Sequence, residues 1–223
     1  MGALIIILFI IVIYLITNSV TFNSKSTKIR SIQEINSDYE LVVFAGGCFW
    51  CTESDFEHEG GVISAISGYT GGFTINPSYN EVSRGGTGHV EAVEVLYDPK
   101  IVTYEELLEI YFTKVDPTDH EGQFIDRGSQ YRPVIFYVNQ NQKDLAERAK
   151  KFYNGSGIYF DEVTVEILPL GDFYIAEEYH QDYYIKNPTR YKFYRGGSGR
   201  DQFLNKIWDK NDLDLVGHLH GDD

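Results

Sequence analysis

Leu41-Val42-Val43-Phe44-Ala45-Gly46-Gly47-Cys48-Phe49-Trp50-Cys51 passes from five apolar residues through a Gly-Gly pair into two cysteines three apart. The run 41–45 has strand character, the glycines supply a turn, and a helix is expected from Cys48. A thiol at such a junction faces unpaired backbone N–H groups and the positive end of the helix dipole, and both favour the thiolate. Cys51 lies one helical turn on, on the same face, within reach of Cys48 after modest local rearrangement. These are the only two cysteines in 223 residues. A redox-active pair uses both; two separate buried thiols or a structural disulfide are the alternatives. A bridge closing so short a loop would remove little unfolded-state entropy, which counts against the structural one.

Beyond this junction, strands are expected at 62–71, 89–97, 134–138 and 163–168. Helices are expected at 104–112, with Thr103 as N-cap, at 140–153, and near 176–185. The segments 76–79 and 83–88 carry loop chemistry. The glycines at 85–88 lack both the Gly-Lys-Ser/Thr ending of a phosphate loop and GxGxxG spacing, which argues against nucleotide binding. Strands and helices alternate without the crossover rhythm of a doubly wound sheet. The expected fold is therefore α+β, a two-layer sandwich with a mixed, mainly antiparallel sheet and a ferredoxin-like core.

Composition narrows the function. Apolar residues make up 43 %, enough for a sizeable core, and aromatics at 15 % suit aromatic-lined pockets. A formal net charge of −14 gives no footing for nucleic acid, which needs clustered Lys and Arg. Two cysteines do not make a disulfide scaffold, and no second Cys pair or spaced His pair completes a zinc site. The chain divides into an apolar segment at 1–20, a polar linker at 21–37, a catalytic domain at 38–209 and an acidic C-terminal tail at 210–223, which holds His218 and His220 and is expected to be mobile. The unbroken apolar run at 3–16 is followed by Lys25, Lys28 and Arg30. It reads as a membrane anchor or export signal, with the side of the membrane open.

In the strand 89–97, His89, Glu91, Val93, Val95 and Tyr97 share one face. If that face is buried, desolvation would keep the Glu91 carboxyl protonated near neutrality and able to donate a proton; a solvated strand-end carboxylate is the alternative. His89 either holds the adjoining loop or packs in the strand. His58, His120 and His180 read as surface or packing residues.

Five motifs occur in register: Gly46-Gly47-Cys48-Phe49-Trp50, Gly68-Tyr69-Thr70-Gly71-Gly72, Tyr79-Asn80-Glu81-Val82, Thr87-Gly88-His89-Val90-Glu91-Ala92 and Asp126-Arg127-Gly128-Ser129-Gln130-Tyr131-Arg132. Together they resemble the A-type peptide methionine sulfoxide reductases, which act on methionine-S-sulfoxide. The stretch 191–208, with Tyr194-Arg195 and Gly199-Arg200-Asp201, is similar to that family's C-terminal region. The resemblance implies that the Cys48 thiolate attacks the sulfoxide sulfur and Glu91 protonates the oxygen. It implies that Phe49 and Trp50 receive the substrate's terminal methyl, that Tyr79 and Tyr131 hydrogen-bond the oxygen, and that Asp126 helps orient the site. It further implies a monomer without bound cofactor, acting on free or protein-borne methionine sulfoxide in protein repair. Electrons would come from thioredoxin or a dithiol such as dithiothreitol.

Many members of the family carry a recycling cysteine after the Tyr-x-Glu-Val segment or near the C-terminus. This chain has Ser83 and Ser198 at those places. Cys51 is left to resolve a Cys48 sulfenic acid, and a subgroup with Gly-Cys-Phe-Trp-Cys is consistent with that role; direct attack by thioredoxin or a small thiol is the other route. Two competing readings stand beside this one. A thioredoxin-type thiol–disulfide oxidoreductase would use the same Cys-x-x-Cys, and a membrane-tethered interaction module would use the tyrosine-rich surface.

Overall fold

The computed structural model describes residues 38–209 and 213–220. The expected apolar segment and linker lie outside those residues. The expectation of membrane anchoring or export is corrected: among the described residues no helix is long and apolar enough to cross a membrane.

The domain is built from β1 (Glu40–Ala45), α1 (Phe49–Glu57), β2 (Val62–Thr70), the short α2 (Tyr79–Ser83), β3 (Val90–Tyr97), α3 (Tyr104–Lys114) and β4 and β5 (Gly122–Gln123, Asp126–Arg127). A single 3-10 turn at Ser129–Tyr131 leads into β6 (Val134–Tyr137), α4 (Gln140–Gly155), β7 (Glu166–Pro169) and β8 (Tyr174–Ile175). Four helices follow: α5 (Tyr183–Lys186), α6 (Pro188–Gly197), α7 (Arg200–Trp208) and α8 (Leu215–His220). The main sheet has the order β7-β6-β1-β3-β2-β8. Only β6 and β7 pair in parallel; every other pairing is antiparallel. Its four central strands, β6-β1-β3-β2, with α1 after β1 and α3 after β3, are a ferredoxin-like βαββαβ core. This is the mixed, mainly antiparallel α+β sandwich expected from the sequence.

Alternation explains the two layers. Val42 and Phe44 of β1 and Val93, Val95 and Tyr97 of β3 point to a core shared with Leu107, Leu108 and Phe112 of α3. Leu41, Val43 and Ala45 point the other way, with Val90, Ala92, Leu96, Phe136 and Phe173. Phe44 stacks on Phe56 at 4.7 Å and on Tyr111 at 5.1 Å between ring centroids, tying β1 to α1 and α3. Gly68 on β2 is the point where the chain returning through Phe173 crosses the sheet. A Cβ there would lie 2.4 Å from the Phe173 ring and 2.6 Å from the Tyr174 carbonyl, so any side chain would push β8 off the edge. Thr103 caps α3 as expected: its hydroxyl accepts from the Glu106 N–H at 3.2 Å, and its own N–H donates to the Glu106 carboxylate at 2.7 Å.

Three expectations change. The strand expected at 163–168 is Glu166–Pro169, because Thr164 N–H donates to the Pro117 carbonyl at 2.8 Å and pairing with β6 starts at Glu166. The helix expected near 176–185 shrinks to Tyr183–Lys186. Ala176 N–H and the Gln181 side chain instead bond the Ser67 backbone at 2.9–3.0 Å, extending the edge of β2, and Asp182 turns left-handed at φ 51. Third, the acidic tail contains α8, whose Leu215 and Leu219 are buried in the main core.

Candidate active site

The turn after β1 delivers Cys48. Gly47 has φ +86, and a Cβ on it would come within 2.5 Å of Gln123, so the chain reverses here only with glycine. Arg200, itself buried, donates to the Gly46 carbonyl at 2.7 Å and to the Lys114 carbonyl at 2.6 Å. Tyr111 OH donates to the Ala45 carbonyl at 2.9 Å. Cys48 then stands as the N-cap residue of α1, and its carbonyl accepts from Cys51 N–H at 3.1 Å.

A cavity of about 220 Å³ opens at this helix end, lined by Cys48, Phe49, Trp50, Tyr79, Glu91, Asp126, Tyr131 and Tyr194. Seven of the eight residues marked by the sequence meet there. The eighth, Cys51, is buried behind them, packed against Tyr183 and Tyr191.

Glu91 comes from β3, whose residues are all buried, on the face predicted from alternation. Burial pushes its carboxyl up to about 8; the Phe49 N–H, donating to Oε2 at 3.1 Å, works against this, while Asp126 and Cys51 add to it. At neutral pH it therefore holds a proton beside the helix start. Asp126 is also raised by burial, with Tyr194 OH, which donates to its Oδ2, and Arg200 opposing.

The thiols correct one expectation. Burial raises Cys48 well above the ordinary thiol range, and its hydrogen bond to Cys51 and the acids Glu91 and Asp126 act the same way. Cys51 is lowered, first by the hydrogen bond from Cys48 and then, against burial, by Arg200 and Arg195. The helix terminus does not by itself hold Cys48 as a thiolate; the pair is poised to share a proton, with Cys51 the better seat for charge.

The aromatic wall is held from outside the cavity. Trp50 stacks on Tyr183 at 3.7 Å, and its Nε1–H donates to His180 Nδ1 at 3.0 Å. His180 therefore carries its proton on Nε2, and burial lowers it to about 4, so it is neutral throughout the working range. Glu177 accepts from Tyr69 OH at 2.9 Å and from Tyr79 N–H at 3.0 Å, fixing the start of α2. His89 holds the neighbouring loop: its Nδ1 accepts from Gly72 N–H at 3.1 Å, and Nε2–H donates to the Thr74 carbonyl at 2.8 Å. Among the described residues, Glu53, Glu57 and Asp182 bring ligand oxygens within 4.8 Å of one another and are the set able to hold a cation; none of them lines the cavity.

Residues 40–212 match the family described as peptide methionine sulfoxide reductase. The chain belongs to that family. It is an oxidoreductase that reduces methionine sulfoxide at the expense of thiols. The reductase is 53 % identical over 169 residues to the peptide methionine sulfoxide reductase MsrA of Bacillus licheniformis, covering 76 % of this chain and 93 % of that one. It is 49 % identical over 187 residues to the MsrA/MsrB protein of Vibrio cholerae, covering 84 % of this chain but only 50 % of that longer protein. Among solved structures, methionine sulfoxide reductase A of Corynebacterium diphtheriae superposes with a TM-score of 0.66 at 37 % identity, covering 69 % of this chain and 77 % of that one. The reduced form of Mxr1 from Saccharomyces cerevisiae gives 0.65 at 30 % identity, covering 74 % and 91 %.

Sequence reasoning assigned no task to Tyr194, although Tyr194-Arg195 belongs to the similar C-terminal stretch, and it read His180 as packing. Both sit in segments that reach the reductase's cavity through long-range contacts, and no local pattern marks them.

Proposed function

We propose that the reductase works on methionine-S-sulfoxide, free or in proteins, through Cys48, with Glu91 as acid and Cys51 as resolving thiol. One observation carries the reading: a thiol and a carboxyl that keeps its proton to about pH 8 line one small cavity, together with the tyrosines Tyr79, Tyr131 and Tyr194. The sulfur of Cys48 gives an electron pair to the sulfoxide sulfur while Glu91 protonates the oxygen and Tyr79 and Tyr131 hold it. The S–O bond to methionine breaks as the oxygen bonds to the Cys48 sulfur, the bond between the two sulfurs breaks, and methionine leaves as the sulfide with Cys48 left as a sulfenic acid. The proton that Cys48 loses restores Glu91. Phe49 and Trp50 take the substrate's methyl group, and Asp126, bonded to Tyr194, orients the polar side of the cavity.

Cys51 then attacks the sulfenic sulfur, water leaves, and a Cys48–Cys51 disulfide remains for an external dithiol of thioredoxin type to reduce. Residues 38–209 form the catalytic unit. A plain thioredoxin-type oxidoreductase would leave Glu91 and the tyrosines around Cys48 without a task.

The test is turnover of separated S and R epimers of a methionine sulfoxide by the full chain, with dithiothreitol and then thioredoxin. Reduction of the S epimer alone, abolished in Cys48→Ser, is expected. Folded protein that turns over neither epimer would overturn the reading.

A further inference from the structure

Cys51 is packed by Tyr183 of α5 and Tyr191 of α6, and of these helices only α6 lines the substrate cavity, through Tyr194. On α6, Arg195 lies between two acids. It donates to Asp55 Oδ1 at 2.7 Å through Nη1 and to Asp201 Oδ1 at 2.9 Å through Nε, and the same Nη1 donates to Tyr191 OH at 3.0 Å. Tyr191 packs against Cys51. Asp55 stands on α1 four residues beyond Cys51, so the two share a helix face. Its side chain is 9 % exposed, and its Oδ2 is buried with no hydrogen-bond partner. Without Arg195, Asp55 would be a buried anion one turn from the resolving thiol, and such an anion opposes a thiolate beside it.

We propose that Arg195 is a positioning residue for the resolving half of the cycle: it neutralises Asp55 and clamps Tyr191 against Cys51, so that this thiol meets the Cys48 sulfenic acid ready to attack. The inference rests on the reading that Cys51 resolves. The step it serves is balanced. The Cys51 sulfur forms a bond to the Cys48 sulfur and is oxidised, the Cys48 S–O bond breaks as that sulfur is reduced, and the oxygen leaves as water with the proton from Cys51. The groups facing Cys51 divide by sign. Arg195 and Arg200 favour its thiolate and Asp55 opposes it; Cys48 donates a hydrogen bond to it; Glu91 interacts with it from β3, and Tyr191 and Tyr183 pack on it from α6 and α5. Arg200 is committed to the Gly46 and Lys114 carbonyls, leaving Arg195 as the cation paired to Asp55.

The experiment follows one turnover of the full chain with methionine-S-sulfoxide and no external thiol. Methionine release and Cys48–Cys51 disulfide formation are timed separately, by acid quench and thiol alkylation, across pH 5.5–9.5. Arg195→Gln is expected to release methionine at the unaltered rate, while the pH midpoint of disulfide formation moves upward. Where the midpoint lies above pH 7, each unit of that movement lowers the thiolate fraction at pH 7 about tenfold and slows resolution about threefold, because the more basic thiolate is the better nucleophile. Arg195→Lys should fall between, since it keeps the charge but loses the planar fork. Asp55→Asn added to Arg195→Gln should bring the midpoint back, a rescue that loss of packing would not give. An unmoved midpoint in Arg195→Gln, or slowing of methionine release and disulfide formation by the same factor, overturns the proposal. Cys51→Ser is the separate arm: unimpaired thioredoxin-driven cycling there would remove the underlying reading instead.

Discussion

At the scale of a single residue, the proposed mechanism makes Glu91 the group that sets the enzyme's pH behaviour. In the proposed mechanism its proton, held to about pH 8, is the one delivered to the sulfoxide oxygen, so kcat/KM should fall as pH rises through about 8. Glu91→Gln should cost about 10²–10⁴-fold in kcat/KM and erase that limb. A limb that persists in the variant would assign it to another group. The same burial has a stability consequence shared with Glu53, which burial also raises to about 8. An acid with a folded-state pKa above its ordinary 4.5 holds more protons folded than unfolded between those values, so the folded state loses stability as pH climbs from about 4.5 to about 8. Glu53→Gln should therefore raise Tm at pH 8 relative to wild type, with the gain shrinking towards pH 5. A thermal melt series shows it directly; a gain independent of pH would contradict the protonation argument. Cys48 also marks a limit of local reasoning. Its place before a helix was legible, but its ionisation depends on burial and on two acids brought from β3 and β5, which no window around residue 48 contains.

At the scale of elements, strand β1 and helix α1 are the frame on which the thiols ride. Phe44 links them through its stacks on Phe56 and Tyr111, so Phe44→Ala should destabilise by about 3–5 kcal/mol, measured by urea denaturation. Removing the reciprocal cap of α3 in Thr103→Ala should cost about 1 kcal/mol by the same measurement. The elements that sequence patterns placed well are those whose reason is local: β1 from its apolar run, β3 from alternation, α3 from its capping box. Those it misplaced obey distant partners. The segment 176–182 yields its helical pattern to the Ser67 backbone, because satisfying an edge strand's N–H and C=O outweighs a weak local propensity.

For the whole molecule, the ferredoxin-like core brings two inner strands side by side so that the turn after β1 and the start of β3 face one cavity, while Tyr194 of α6 lines it from the C-terminal side. Cys48, Phe49, Trp50, Tyr79, Glu91, Asp126 and Tyr131 could be named in advance because their motifs are contiguous in sequence. Tyr194, His180 and Arg195 could not be given roles, because their meaning lies in contacts spanning the chain: Tyr194 to Asp126, His180 to Trp50, Arg195 to Asp55. Cooperation between Cys48 and Cys51 at this helix end is the central claim, and one measurement meets it most directly. One equivalent of methionine-S-sulfoxide is added to the reduced full chain without external thiol, and the products are mapped by alkylation and mass spectrometry. The expected result is one methionine released per chain and a Cys48–Cys51 disulfide, with neither formed in Cys48→Ser. Release of methionine with Cys48 still free to alkylate would contradict it.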